Sequence, residues 1–152
     1  MLNTADRSQQ MTTNRILSFD FGLKRIGVAT GNRRTKTAQA LSTLPASNGQ
    51  PNWRALDKIL AQWKPTLLVV GLPLAMDGSE SIMSSAARKF GARLSEHTGL
   101  TVNFVDERLT SVTAERILRD SVEPGKKMTK KRVGAIDNLA AQLILQTYFD
   151  DD

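Results

Sequence analysis

Acids stand at three places in this chain where they are locally unusual. Asp20 lies inside the apolar run RILSFDF, Asp106 and Glu107 directly follow TVNFV, and Asp137 shares one helical stripe with Ala141, Ile144 and Tyr148. Burying a carboxylate is costly unless it is paired or bound to a metal. Three such groups brought together from separate elements would repel one another, and a divalent cation relieves that repulsion while binding them. Blander explanations carry different weight. Asp137, expected in the first turn of the last helix, could simply favour the helix dipole. Asp106 and Glu107 could be solvated residues at a strand end. Asp20 is hardest to explain away, because aspartate is disfavoured within strands. Successive strand residues point to opposite faces, so only one of Asp106 and Glu107 is expected to enter a common site. Glu107 is the choice and Asp106 the reserve.

Composition narrows the chemistry further. The chain has no cysteine and a single histidine, His97. Thiolate catalysis, disulfides and multi-histidine or cysteine metal sites are therefore excluded. A metal bound mainly by carboxylates would be a hard ion such as Mg²⁺ or Mn²⁺. His97 sits beside a polar helix end, where an exposed role is expected. The formal net charge is +6, with a pI near 10.0, which suits a polyanionic partner such as nucleic acid. Lys126, Lys127, Lys130, Lys131 and Arg132 immediately precede Asp137, and Lys24 and Arg25 occupy the first turn. Both groups are candidates for holding phosphates near the acids. The alternative is a solvated basic surface.

The elements that must position these residues can be read from periodicity. A length of 152 residues suits one domain. Residues 1–14 are expected to form a disordered tail, with the domain over 15–150. No apolar run approaches a membrane span, and the polar N-terminus lacks a secretory pattern, so a cytoplasmic location is expected. Residues 15–21 and 25–31 form a hairpin around Gly22, Leu23 and Lys24, and residues 35–44 add a third strand. Residues 45–52 are expected to be a loop. Trp53, Leu56, Ile59, Leu60 and Trp63 mark a helix ended by Pro65, with both tryptophans in the core. Residues 66–71 are a buried strand. Asp77 then caps a helix whose inner face is Met83, Ala86, Ala87, Phe90 and Leu94, and which Gly99 ends. A strand over 101–105 follows, then a helix from Thr110 or Ser111 to about Asp120, a basic loop over 123–132 and a last helix over 134–149. This is an α/β fold, a mixed sheet led by an antiparallel hairpin and flanked by helices.

Four ordered segments also resemble a known family. FDFGLKRIGVATG, VVGLPLAMDGSES, VDERLTS and AIDNLAAQLILQTYF are similar to the successive motifs of the YqgF family, also called RuvX. The resemblance covers nearly all of residues 15–149. It implies an RNase H-like fold related to RuvC-type Holliday junction resolvases, with catalytic acids at Asp20, Glu107 and Asp137. Bacterial members of that family are proposed nucleases in maturation of the 5′ end of pre-16S ribosomal RNA, and some are described as junction resolvases acting on branched DNA. A metal-dependent hydrolase of phosphodiester bonds is the resulting expectation, as a monomer or a homodimer. Two competitors remain. A sugar-kinase-like ATPase would need two such domains, for which the chain is too short. A non-catalytic RNA-binding module would suit the basic loop but leave the acids without a role.

Overall fold

The computed structural model describes the backbone of residues 14–109 and 130–151, and the side chains of residues 14–109 and 138–151. Residues 1–13, the helix expected from 110 to 120, and Lys126 and Lys127 lie outside these. The chain opens with β1 (Arg15–Asp20) and β2 (Arg25–Asn32). They form the expected antiparallel hairpin, in a register that sets Asp20 opposite Gly27. β3 (Thr37–Ser47) pairs antiparallel with β2, and β4 (Gln50–Pro51) with β3.

The loop expected over residues 45–52 is largely strand. β3 continues past Pro45, and Asn48 and Gly49 turn the chain into β4 with φ values of 51° and 81°. Two successive positive-φ residues suit the twist of a two-residue hairpin, so the Asn-Gly signal marks a tight turn and not a loose connection. Pro45 is tolerated because it needs no N–H here. It sits opposite Arg25 at the end of the ladder, and its carbonyl accepts from the Asn52 backbone N–H at 3.1 Å.

Helix α1 (Trp53–Trp63) starts at Asn52, whose side chain accepts from the Ala55 N–H, and ends at Lys64 in a left-handed conformation with φ 48°. The following Pro65 disfavours helical geometry at Lys64. β5 (Leu67–Leu72), α2 (Ile82–Thr98) and β6 (Val102–Asp106) come next, and a 3₁₀ turn (Glu107–Leu109) follows β6 directly. Asp77 does not cap α2. Ser81 does, through a reciprocal box with Ser84 that satisfies two helix-end N–H groups. Asp77 instead accepts from the Ser79 N–H at 2.9 Å, shaping the loop before the cap. The last helix, α3 (Lys130–Asp150), begins before Gly134, so Lys130, Lys131 and Arg132 are helical and do not belong to a loop.

Among the described residues the strand order is β4-β3-β2-β1-β5-β6. β1, β5 and β6 run parallel to one another, and the other pairs are antiparallel. This is the expected α/β fold, a mixed sheet led by an antiparallel hairpin and flanked by helices. Each face has its own core. Leu17, Phe19 and Phe21 pack with α1 and α2 residues such as Leu56, Ala87, Phe90 and Leu94, and Trp53 and Trp63 flank them. Ile16, Val69 and Val105 pack against Ala140, Ile144, Leu145 and Phe149 of α3. Each fully buried large side chain contributes about 1.5–3 kcal/mol. Strand alternation thus sends the odd positions of β1 to one helix layer and the even positions to the other.

Candidate active site

Asp20 is the last of the even positions of β1, and it is only 4 % exposed. Two residues earlier on the same face, the Ser18 hydroxyl donates to the Ala141 carbonyl of α3 at 2.7 Å. The course of α3 across the sheet follows from three more bonds. Gln146 Nε2 donates to the Lys36 carbonyl, Gln142 Nε2 to the Ala38 carbonyl, and Thr43 Oγ1 to Asn138 Oδ1 at 2.6 Å. The helix therefore runs antiparallel to β3 and to β1. Thr43, Gly27 and Asp20 form one cross-strand row. The backbone at residues 137 and 138 thus stands over the row that ends at Asp20. Residue 137 is seven residues, about two turns, past the start of α3 and not in its first turn. The helix-dipole explanation for an acid there loses its force, since that effect fades beyond the first turn.

Glu107 approaches the same corner from the other side. It opens the 3₁₀ turn after β6 and is 3 % exposed. Gly71 makes room for it. A Cβ on Gly71 would lie 2.6 Å from Glu107 Oε1 and 2.4 Å from Ile144 Cδ1. The carboxylate therefore lies over β5 and beside α3. Gly71 follows Val70, which pairs with Phe19, so it reaches the level of Asp20 on the adjoining strand. Neighbouring strands lie about 4.8 Å apart. Two buried carboxylates thus occupy one end of the β1–β5 pair, both on the α3 side.

Asp106 is turned to a different use. Its carboxylate accepts from Arg108 Nε at 3.1 and 3.0 Å, from Arg108 Nη2 at 2.6 Å and from the Arg108 backbone N–H at 2.9 Å. These hydrogen bonds, those to the guanidinium foremost, hold Asp106 below the usual carboxylate range. Arg108 Nη1 also donates to the Met76 carbonyl at 3.2 Å. The Asp106–Arg108 pair thus braces the β5–α2 loop against the end of β6 and flanks Glu107 on both sides. Sequence reasoning passed over Arg108. The available signal was an acid and a base two residues apart around the chosen glutamate.

Lys24 and Arg25 are exposed in and after the β1–β2 turn, which begins directly after Asp20. Lys130, Lys131 and Arg132 form the start of α3 as described. His97 is remote, on the far helix layer, where its Nε2 lies 2.6 Å from Asp57 Oδ1 and its ring packs on Trp53. Among the described residues no three acidic or histidine side chains converge as a metal-binding set. Asp20 and Glu107 make a pair, and the side chain of Asp137 lies outside those described.

A sequence profile described as "RuvX: Holliday junction resolvase" matches residues 14–151. The chain belongs to the RuvX family. The match runs from the start of β1 to the end of α3, so all three acids fall within it. A curated relative from Chromohalobacter salexigens is 50% identical over 137 residues, covering 90% of each chain. One from Nitrosococcus oceani is 44% identical, covering 99% of this chain and 96% of the other. Both are named "Putative pre-16S rRNA nuclease". Among solved structures, RuvC of T. thermophilus in complex with a Holliday junction substrate aligns with this RuvX chain at 11% identity and a TM-score of 0.49. It covers 90% of this chain and 94% of RuvC.

Proposed function

We propose that this RuvX protein is a nuclease that hydrolyses phosphodiester bonds with Mg²⁺ or Mn²⁺ held by Asp20, Glu107 and Asp137. The observation that carries this is the placement of two buried carboxylates, 4 % and 3 % exposed, at one end of the sheet, Asp20 at the end of β1 and Glu107 in the turn after β6. The helix backbone at residue 137 stands over the same row. The donors are all carboxylate oxygens, which fits a hard divalent ion. When bound, such an ion supplies Lewis-acid stabilisation of phosphate charge and acidifies water. Asp20 is held on a central strand and Glu107 by a close-packed turn, so both carboxylates are pre-positioned. Lys24 and Arg25 at the β1–β2 turn, and Lys126, Lys127, Lys130, Lys131 and Arg132 before Asp137, bind and orient phosphates of the substrate.

The substrate we propose is the 5′ region of pre-16S ribosomal RNA. The support is the name carried by relatives at 44% and 50% identity. RNA processing of this kind implies a cytoplasmic protein. Among the described residues no helix is long and apolar enough to cross a membrane. The family description favours one second reading, resolution of branched DNA. Symmetric cleavage of two strands would then require a homodimer.

Cleavage of a pre-16S 5′ fragment and of a four-way DNA junction, each in Mg²⁺ and in Mn²⁺, separates these readings. Asp20→Asn, Glu107→Gln and Asp137→Asn should each abolish turnover with the fold retained. Their combined effects should be far from additive, since they serve one centre. Binding of Mn²⁺ should also raise the melting temperature of the wild type, and less so that of Asp20→Asn. Wild-type turnover by Asp20→Asn on the cleaved substrate would refute the assignment.

A further inference from the structure

The sheet end that carries Asp20 has a second feature on its opposite face. Asp20 faces α3, whereas the next residue, Phe21, faces α2 and floors a cleft of about 630 Å³. Leu23 of the β1–β2 turn and Asn48 of the β3–β4 turn form one side of the cleft. Ile82, Lys89 and Arg93 of α2 line the other. Lys89 and Arg93 are one helical turn apart and both exposed. Arg93 lies against the side-chain amide of Gln50. The acid at the rim, Glu80, is engaged by Arg88 at 2.6 Å, which offsets its charge. The reciprocal Ser81–Ser84 cap already occupies N–H groups at the start of α2, so the attraction for an anion falls to the two cations. Large aliphatic side chains stand at the cleft in solvent, Leu23 47% and Ile82 89% exposed.

Cations at helical spacing, exposed aliphatic side chains and small polar groups together match a single nucleic-acid strand. Phosphates take the cations, and unstacked bases lie on apolar surface. Consecutive Cα atoms are about 3.8 Å apart, so this cleft and the carboxylate corner lie back to back across the end of β1. Lys24 is exposed on the turn between them. We propose that the cleft is a second nucleic-acid subsite. The strand cut at the Asp20–Glu107 corner passes over the β1–β2 turn. Its flanking nucleotides lie between Leu23 and Ile82, with their phosphates on Lys89 and Arg93. This subsite rests on the nuclease reading above and adds to it where the uncut flank is held.

The test is a salt titration of binding for fluorescein-labelled single-stranded RNA of graded length, in Ca²⁺ to suppress cleavage. Wild type is compared with Lys89→Ala/Arg93→Ala and with a control, Arg54→Ala/Lys58→Ala. The control removes the same charge from exposed positions on α1. The slope of log affinity against log salt should flatten by about 0.7 per lost contact, hence about 1.4 for the cleft pair. The loss should appear only with oligonucleotides long enough to reach the cleft, and the control should match wild type. Lys89→Arg/Arg93→Lys should restore the slope. An unchanged slope, an equal loss in the control, or an equal loss at every length would overturn the subsite. If Asp20→Asn has lost cleavage in these same preparations, that failure leaves the nuclease reading intact. Wild-type protein that neither binds nor cleaves nucleic acid would overturn both.

Discussion

Gly71→Ala is the sharpest perturbation of this molecule, because a single methyl group meets the proposed ligand Glu107 and the core side chain Ile144 at once. The added Cβ would lie 2.6 Å from Glu107 Oε1, 2.4 Å from Ile144 Cδ1 and 3.1 Å from Ile144 Cγ1. Ordinary contact begins near 3.4 Å, so the carboxylate must retreat by about 0.8 Å and the isoleucine by about 1.0 Å. Ile144 is fully buried and cannot swing into solvent. Overpacking of this kind costs about 1–3 kcal/mol. In a domain of this size that lowers the melting temperature by roughly 2–4 °C per kcal/mol. The displacement of Glu107 acts separately. A misplacement near 1 Å can cost about 100-fold in rate. Urea denaturation and single-turnover cleavage read the two effects apart, and a second substitution tests their separation. Ile144→Val removes the Cδ1 methyl, so Gly71→Ala/Ile144→Val should recover much of the stability lost to Gly71→Ala. Its cleavage should remain slow, because Glu107 is still displaced. Wild-type rate in Gly71→Ala, or full recovery of rate in the double variant, would refute the proposal that cleavage depends on the Glu107 carboxylate as it rests on Gly71.

Two further perturbations probe the frame around the corner. Asp106 is held below its ordinary value of 3.8 by Arg108, so its stabilising effect is present above that value and is lost as pH falls through the lower folded one. Asp106→Asn should therefore remove part of the acid-dependent loss of stability below about pH 4, seen in urea denaturation as a function of pH. An identical acid limb in the variant would show the ion pair to be energetically idle. Ser18→Ala removes a fully buried donor to the Ala141 carbonyl. The expected cost is about 0.5–1.5 kcal/mol, and unaltered stability would mean that this bond does not help hold α3 on the sheet.

How much of this was legible beforehand differs from residue to residue. The hairpin, α1, β5, α2 and β6 follow from local periodicity, since each buries one face or both. The exceptions are local too. Asn48 and Gly49 signalled a turn, but nothing in composition said that its flanks would pair. Asp77 and Ser81 both had cap chemistry, and the reciprocal bond with Ser84 favoured Ser81. Lys130 to Arg132 looked like loop because charge masks helical periodicity, yet they continue α3.

The sequence by itself determined the kind of chemistry open to this protein. With no cysteine and a single histidine, a bound ion would rely mainly on carboxylates and other oxygens. An aspartate inside the apolar run RILSFDF singles out Asp20 as one candidate carboxylate. The tertiary structure alone decided which acids share a neighbourhood. Alternation could say that Asp106 and Glu107 diverge, but the partner each one meets is set by distant segments: Arg108 and the β5–α2 loop for Asp106, Gly71 and α3 for Glu107. Those contacts join residues far apart in sequence, and a side chain can enter such a space only where another strand has left out its own.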